Sequence, residues 1–196
     1  LIPRDIKFDV EPALEKNRYY IDNDPVASHF FSALQALFPE GERFFIDSAR
    51  DVRDQHKGEL PAELEDQIKI FIRQEAIHGA HHEDWNKALV KIGYKKVQWF
   101  SNWLRDARAD VRKRMPAIRR LAITAAGEHF TAITARIQLH RDPKFFDNMD
   151  RPFKDLIMYH AIEEIEHKAV CYDLYQKAGG GYGSRMFGAA VFALFI

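Results

Sequence analysis

Apolar residues recur along this chain at spacings of three and four, over stretches long enough for helices of several turns. The longest stretch runs from Pro61 to Ile92, with Leu64, Ile68, Phe71, Ile72 and Ile77 on helical spacing. Pro61 suits a first helical position and Gly93 supplies the stop. Upstream, the pattern predicts a helix from about Pro25 to Phe38, ended by Pro39, and another from Glu40 to about His56. Downstream come a helix carrying Val97, Trp99, Phe100, Trp103 and Leu104, one from Pro116 to about His140, and one from Pro152 to Ala178, ended at Gly179. Asp142-Pro143 and Asp150-Arg151-Pro152 frame a short connector between the last two. The first 24 residues, with Pro3, Pro12 and the turn-prone Asp22-Asn23-Asp24 before Pro25, read as an irregular arm. No segment alternates with period two over a convincing length. The expected fold is all-α, one helical domain over residues 1–196, packed as a bundle with short connections.

Polar residues interrupt the apolar faces in a pattern. Glu75, His78 and His82 stand at offsets 0, 3 and 7, so they share one stripe of their helix. His160, Glu164 and His167 stand at offsets 0, 4 and 7 and form a second stripe. Such groups on a core-facing stripe are costly unless they pair with one another or hold a metal. Two single glutamates complete an order along the chain. Glu42 lies near a helix start, and Glu128 lies in Ala125-Ala126-Gly127-Glu128-His129-Phe130 among small and aromatic neighbours. The order Glu42, Glu75-x-x-His78, Glu128, Glu164-x-x-His167 matches the ligand order of ferritin-like four-helix bundles with a dinuclear metal site. Carboxylates can bridge two cations and imidazoles can cap each. The mixed nitrogen and oxygen set suits iron or manganese and also zinc, and the lack of thiolate ligands argues against a structural zinc site. A blander reading stands beside this one: Glu42 alone could simply favour a helix dipole. Glu163 and Glu166 read as solvated or as lying behind the ligands, and His81 and His129 as surface or packing residues.

Composition narrows the classes. The chain has 196 residues, 46% of them hydrophobic, enough for a real core. Basic and acidic residues balance at 29 each, so no global field favours nucleic acid as a partner. Arg105, Arg108, Arg112, Lys113, Arg114, Arg119 and Arg120 cluster, but Asp106 and Asp110 interleave, so the stretch reads as a solvated helix face. Cys171 is the one cysteine, one turn after His167, and reads as a core residue; a reducing, cytoplasmic setting is consistent with it. No signal-peptide pattern opens the chain, which starts at Leu1. After the glycine-rich stretch 178–184, an uncharged apolar run from Met186 to Ile196 dominates the segment 185–196. A bilayer crossing needs about 20 residues. The run is expected to pack on the bundle or a partner, with membrane contact as the other reading.

Several motifs resemble those of a bacterial family of predicted metal-dependent hydrolases. They are Phe38-Pro39-x-Gly41-Glu42-x-Phe44-Phe45, Gln74-Glu75-x-x-His78-x-x-x-His82, Glu128-His129-Phe130-Thr131 and His160-x-x-Glu163-Glu164-x-Glu166-His167. The last, read as H-x-x-x-E-x-x-H, is also similar to a motif of di-iron arylamine N-oxygenases. That resemblance implies the ligand set Glu42, Glu75, His78, Glu128, His160, Glu164 and His167. His82 falls outside the set; it is expected to act in catalysis as a proton shuttle, or else to orient a ligand or serve as an eighth one.

The leading expectation is a di-iron carboxylate oxidase or oxygenase that takes dioxygen, an electron donor and a small, apolar or aromatic substrate. The 15 Phe and 7 Tyr allow such a pocket, with Tyr159 and Phe130 as its expected neighbours. The alternative is a metal-dependent hydrolase using a metal-activated water. A third reading is a non-enzymatic iron store. Storage would need a closed shell of many subunits, whereas a homodimer is compatible with the two enzyme readings.

Overall fold

The computed structural model describes residues 2–141 and 146–194. Among them are nine α-helices: α1 Val10–Lys16, α2 Pro25–Gln35, α3 Phe38–Gln55, α4 Ala62–Lys91, α5 Lys96–Arg114, α6 Ala117–Arg136, α7 Phe153–His167, α8 Val170–Lys177 and α9 Tyr182–Ala193. A π-helical turn, Ile137–Arg141, extends α6. The described residues hold no strand, only one isolated antiparallel bridge between Ile21 and Met149. The all-α expectation holds.

Three local expectations need correction. The N-terminal arm is not wholly irregular, because Val10 and Leu14 bury one face of the short α1. Pro39 lies inside the first turn of α3, where its missing N–H has no intrahelical partner to lose. The helix expected from Pro152 to Ala178 is two helices. Lys168 and Ala169 separate α7 from α8, yet both stay in the right-handed helical region (φ −47° and −92°), so the hydrogen-bond ladder lapses while the chain continues in a helical sense. The expected connector residues Asp142 and Pro143 lie outside the described residues, as do Phe195 and Ile196 of the apolar run.

Two apolar cores lie at opposite ends of α4. Leu64, Ile68 and Phe71 from its first half pack with Val52 of α3, Leu121 of α6 and Leu174 of α8. Trp85 and Leu89 from its second half pack with Leu14, Tyr20, Phe153 and Leu156. Membership of these cores gives the directions. α4 and α6 run away from the first core, whereas α3 and the α7–α8 pair run toward it. α5 carries the chain back between the two parallel helices. The polar stripes of α4 and α7 fall between the two cores, in the middle of the bundle.

α5 has no buried residue; Val97 packs on the edge of the second core, and ion pairs tie the helix's later turns to α3. Arg108 pairs with Glu40 at 2.8 Å and with Asp47. Arg112 reaches Asp51 at 2.6 Å, and the buried Arg120 of α6 reaches the same carboxylate at 2.7 Å. The solvated basic face expected between Arg105 and Arg120 is thus divided: Arg105, Lys113 and Arg114 face water, while Arg108, Arg112 and Arg120 turn to the acids of α3. The apolar run contributes α9, which lies against α6. Gly188 permits the approach, since a Cβ there would stand 2.4 Å from the Ala122 carbonyl oxygen. No described helix is long and apolar enough to cross a membrane.

Candidate metal centre

α3, α4, α6 and α7 each send acidic or imidazole side chains into the band between the two cores. Glu42, Glu75, His78, His82, Glu128, Glu163, Glu164 and His167 are all buried. His160 is the exception, with 14% of its side chain exposed, and marks the edge where the cluster meets the surface.

Two overlapping groups can each hold a cation. One is Glu42, His78, His160 and Glu164; the other is Glu75, His78, Glu164 and His167. Within each group, one donor atom per residue lies within 4.8 Å of all the others. Glu164 Oε1 is central, 2.8 Å from His160 Nε2, 3.7 Å from His78 Nδ1 and 3.8 Å from His167 Nε2. Ligands about 2.1 Å from a common ion stand roughly 3–4 Å apart, so these spacings suit a bound metal.

The hydrogen-bond inventory tests the fit. Both oxygens of Glu75, Oε2 of Glu42, Oε1 of Glu128, Nδ1 of His78 and Nε2 of His167 are buried and without a hydrogen-bond partner. His167 Nε2 lies 3.0 Å from Glu75 Oε1 without the alignment a hydrogen bond needs. Buried polar atoms are nearly always satisfied, so a convergent set of unpaired donor atoms calls for something to fill it. Oxygen and imidazole nitrogen donors in this number fit a pair of divalent ions.

A second layer fixes the imidazoles. His78 Nε2 donates to Glu163 Oε2 at 3.0 Å, which leaves Nδ1 facing Glu75 and Glu164. His167 Nδ1 donates to Glu128 Oε2 at 2.8 Å, which leaves Nε2 facing the same two carboxylates. Glu163 also accepts from Tyr159 (3.0 Å) and from the Arg4 guanidinium (3.1 Å). Thr131 donates to Glu164 Oε2 at 2.6 Å.

Of the expected ligands, the structure brings Glu42, Glu75, His78, His160, Glu164 and His167 into the two groups. Glu128 stands outside both and backs His167. His82 also stands outside, hydrogen-bonded to Gln35 and His160. Of the two expected pocket neighbours, Tyr159 touches Glu163, whereas Phe130 is exposed and its ring meets Phe192. Glu163 is buried behind His78 and Glu166 is at the surface. Spacing carried a hint of that difference: Glu163 lies four residues before His167 and three after His160, on the inward face. Arg4, Gln35 and Thr131 had no comparable signal.

Electrostatics follow from packing acids and imidazoles out of water. Burial, reinforced by neighbouring Glu75, holds the Glu42 carboxyl well above the usual carboxylate range. Burial also raises Glu128 to about 8, with His167 opposing. Burial alone would raise Glu75, but its contacts with Glu42 and His167 outweigh that and hold it well below the usual range. Burial would lower His78, yet its hydrogen bond to Glu163 and the nearby charge of Glu75 carry it up to about 9. His167 is likewise raised despite burial, by Glu128 and Glu164. Burial, reinforced by neighbouring imidazoles, depresses both His82 and His160, and the Glu164 carboxylate beside His160 opposes this only in part.

A family model described as "predicted metal-dependent hydrolase" matches residues 2–196. The chain belongs to that family. The match takes in both polar stripes and the two single glutamates. No curated protein and no solved structure matches the chain.

Proposed function

We propose that this chain is an enzyme working with a pair of metal ions between α3, α4, α6 and α7, and that its reaction is hydrolysis of a small organic substrate. The observation that carries the metal pair is the converging set of buried, unpaired donor atoms on Glu42, Glu75, His78 and His167. The family description supports hydrolysis. The directions of the helices, with α5 as a crossover, agree with a ferritin-like bundle. Iron, manganese and zinc all suit the donors.

A bound cation pair supplies Lewis acidity and lowers the pKa of a coordinated water from about 15.7 toward about 7. The chain does the rest. The cluster comes nearest the surface at His160, where 14% of the side chain is exposed. Glu42 Oε1 stands 3.7 Å from His160 Nε2, so the two can hold one ion between them. Glu163 and Glu128 keep His78 and His167 turned toward the metals, and the apolar cores on either side exclude bulk water.

The test is to strip the protein of metal, reload it with zinc, manganese or anaerobic iron(II), and screen carboxylic esters and phosphate monoesters. Turnover that vanishes with chelation and in Glu75→Ala supports hydrolysis. A second reading, oxidation of an apolar or aromatic substrate by dioxygen, is favoured by one feature: every donor is a Glu or His on a helix within a nearly closed site. Oxygen uptake by the iron(II)-loaded protein, with no ester or phosphate turnover under any metal, would replace the first reading with the second.

A further inference from the structure

We propose that Gln35, acting through His82, sets the tautomer of His160 so that its Nε2 meets a metal ion as a bare lone pair. The inference rests on the metal-centre reading above. Gln35, on α2, touches no candidate ligand, yet its side chain is buried and ends on the cluster. Its Oε1 lies 2.5 Å from His82 Nδ1, and His82 Nε2 lies 2.8 Å from His160 Nδ1.

A neutral imidazole has one N–H and one lone pair, so each bond fixes the next. A carbonyl oxygen only accepts, so His82 Nδ1 carries the hydrogen and Nε2 the lone pair. His160 must then donate from Nδ1. Its Nε2, in hydrogen-bond contact with Glu164 Oε1 at 2.8 Å and 3.7 Å from Glu42 Oε1, then carries a hydrogen only as the imidazolium; in the neutral ring it offers a lone pair inside one of the two metal groups, where a cation takes the place of that hydrogen. Turning the amide would reverse the chain: an N–H would face His82 Nδ1, and the proton would finish on His160 Nε2, where it blocks ligation. An apolar residue at 35 would leave both directions open, and a carboxylate would permit only the metal-ready one. The Phe38 ring, 4.8 Å from that of His82, covers the chain. Gln35 is therefore a positioning residue.

The experiment uses the full chain loaded with zinc, a diamagnetic probe, and labelled with nitrogen-15 at histidine. NMR of the wild type is expected to show His82 protonated at Nδ1 and bare at Nε2, and His160 protonated at Nδ1 with zinc at Nε2. Gln35→Met removes the acceptor at similar volume. It is expected to weaken zinc at the His160 site by about 10- to 100-fold and to leave the His167 site unchanged. Gln35→Glu keeps an acceptor and is expected to restore both tautomer and affinity. His82 protonated at Nε2 in the zinc-loaded wild type, or wild-type zinc affinity in Gln35→Met, overturns the proposal and leaves the metal centre standing. Failure of the wild type to bind zinc overturns both. Should Gln35→Met not fold, the wild-type tautomers decide.

Discussion

Glu163→Gln removes one charge and changes almost no volume, at a fully buried side chain that backs a ligand without belonging to either metal group. Glu163 Oε2 accepts from His78 Nε2 and from the Tyr159 hydroxyl, both at 3.0 Å. Its Oε1 accepts from the Arg4 guanidinium at 3.1 Å and from the Arg4 backbone N–H at 3.2 Å. The Arg4 groups only donate and His78 must donate to keep Nδ1 free, whereas the single Tyr159 hydrogen is shared with the Arg4 carbonyl oxygen at 2.8 Å; the NH2 of an amide must therefore face either the Arg4 donors or His78. Leaving a buried donor unpaired costs about 1–3 kcal/mol. Carboxylates behind a ligating histidine are worth about 10- to 100-fold in metal affinity, or roughly 1.4–2.8 kcal/mol. One effect opposes this. The hydrogen bond to Glu163 helps raise metal-free His78 to about 9 against burial, so the variant sheds the competing proton more easily at neutral pH. The assay is therefore a zinc titration near pH 9.5 against a competing chelator, where that proton is largely gone in both proteins. Glu166→Gln is the control. Glu166 accepts from the same Arg4 at 2.6 Å, at the surface, without touching His78. Its loss should change stability by less than about 0.5 kcal/mol and leave zinc affinity unaltered. Equal zinc affinity in Glu163→Gln and the wild type, or equal losses in the two variants, would refute the reasoning.

Metal uptake should release protons and tighten as pH rises from 7 to 9, because Glu128 near 8 and His78 near 9 must lose theirs first. Metal-free stability should move the other way. The folded pKa of His78 lies above its ordinary 6.5, so its contribution is complete below 6.5 and lost as pH rises through about 9. Melting temperatures with and without metal across that range check both; a metal-induced increment that stays flat with pH would refute them. Glu42→Ala should retain about one metal per chain, because Glu42 belongs to one group only, whereas Glu164→Ala should lose both, because it belongs to both. Elemental analysis decides, and equal metal content in the two variants would contradict the shared role of Glu164. Gly188→Ala should destabilise by about 1–3 kcal/mol, since its Cβ would meet the Ala122 carbonyl at 2.4 Å. Gly183→Ala, with nothing within 4 Å, should be near neutral in the same thermal denaturation.

The helices and the polar stripes were legible because helical periodicity is a local property. Glu75 and His78 lie on one face of α4 wherever α4 packs, and so do His160, Glu164 and His167 of α7. The prolines and Gly93 punctuated the chain for reasons internal to a few residues. Boundaries that depend on neighbours were less legible: the face of α1 is stabilised by Trp85 and Phe153, and the lapse after His167 carries no glycine or proline to announce it.

Periodicity fixes the angle of a side chain about its own helix axis and leaves open what stands opposite. Arg108 and Asp47, 61 residues apart, pair only because α5 crosses α3. Arg4 reaches Glu163 across 159 positions, and Gln35 reaches His82 across 47. Contacts of the same long range bring Glu163 against His78, Glu128 against His167 and His82 against His160. The sequence by itself determined which residue types share a face, through bonds no longer than one helical turn. The tertiary structure decided which of them have partners and which donor atoms stay free for a metal, because that depends on the packing of distant segments that remove water from the cluster.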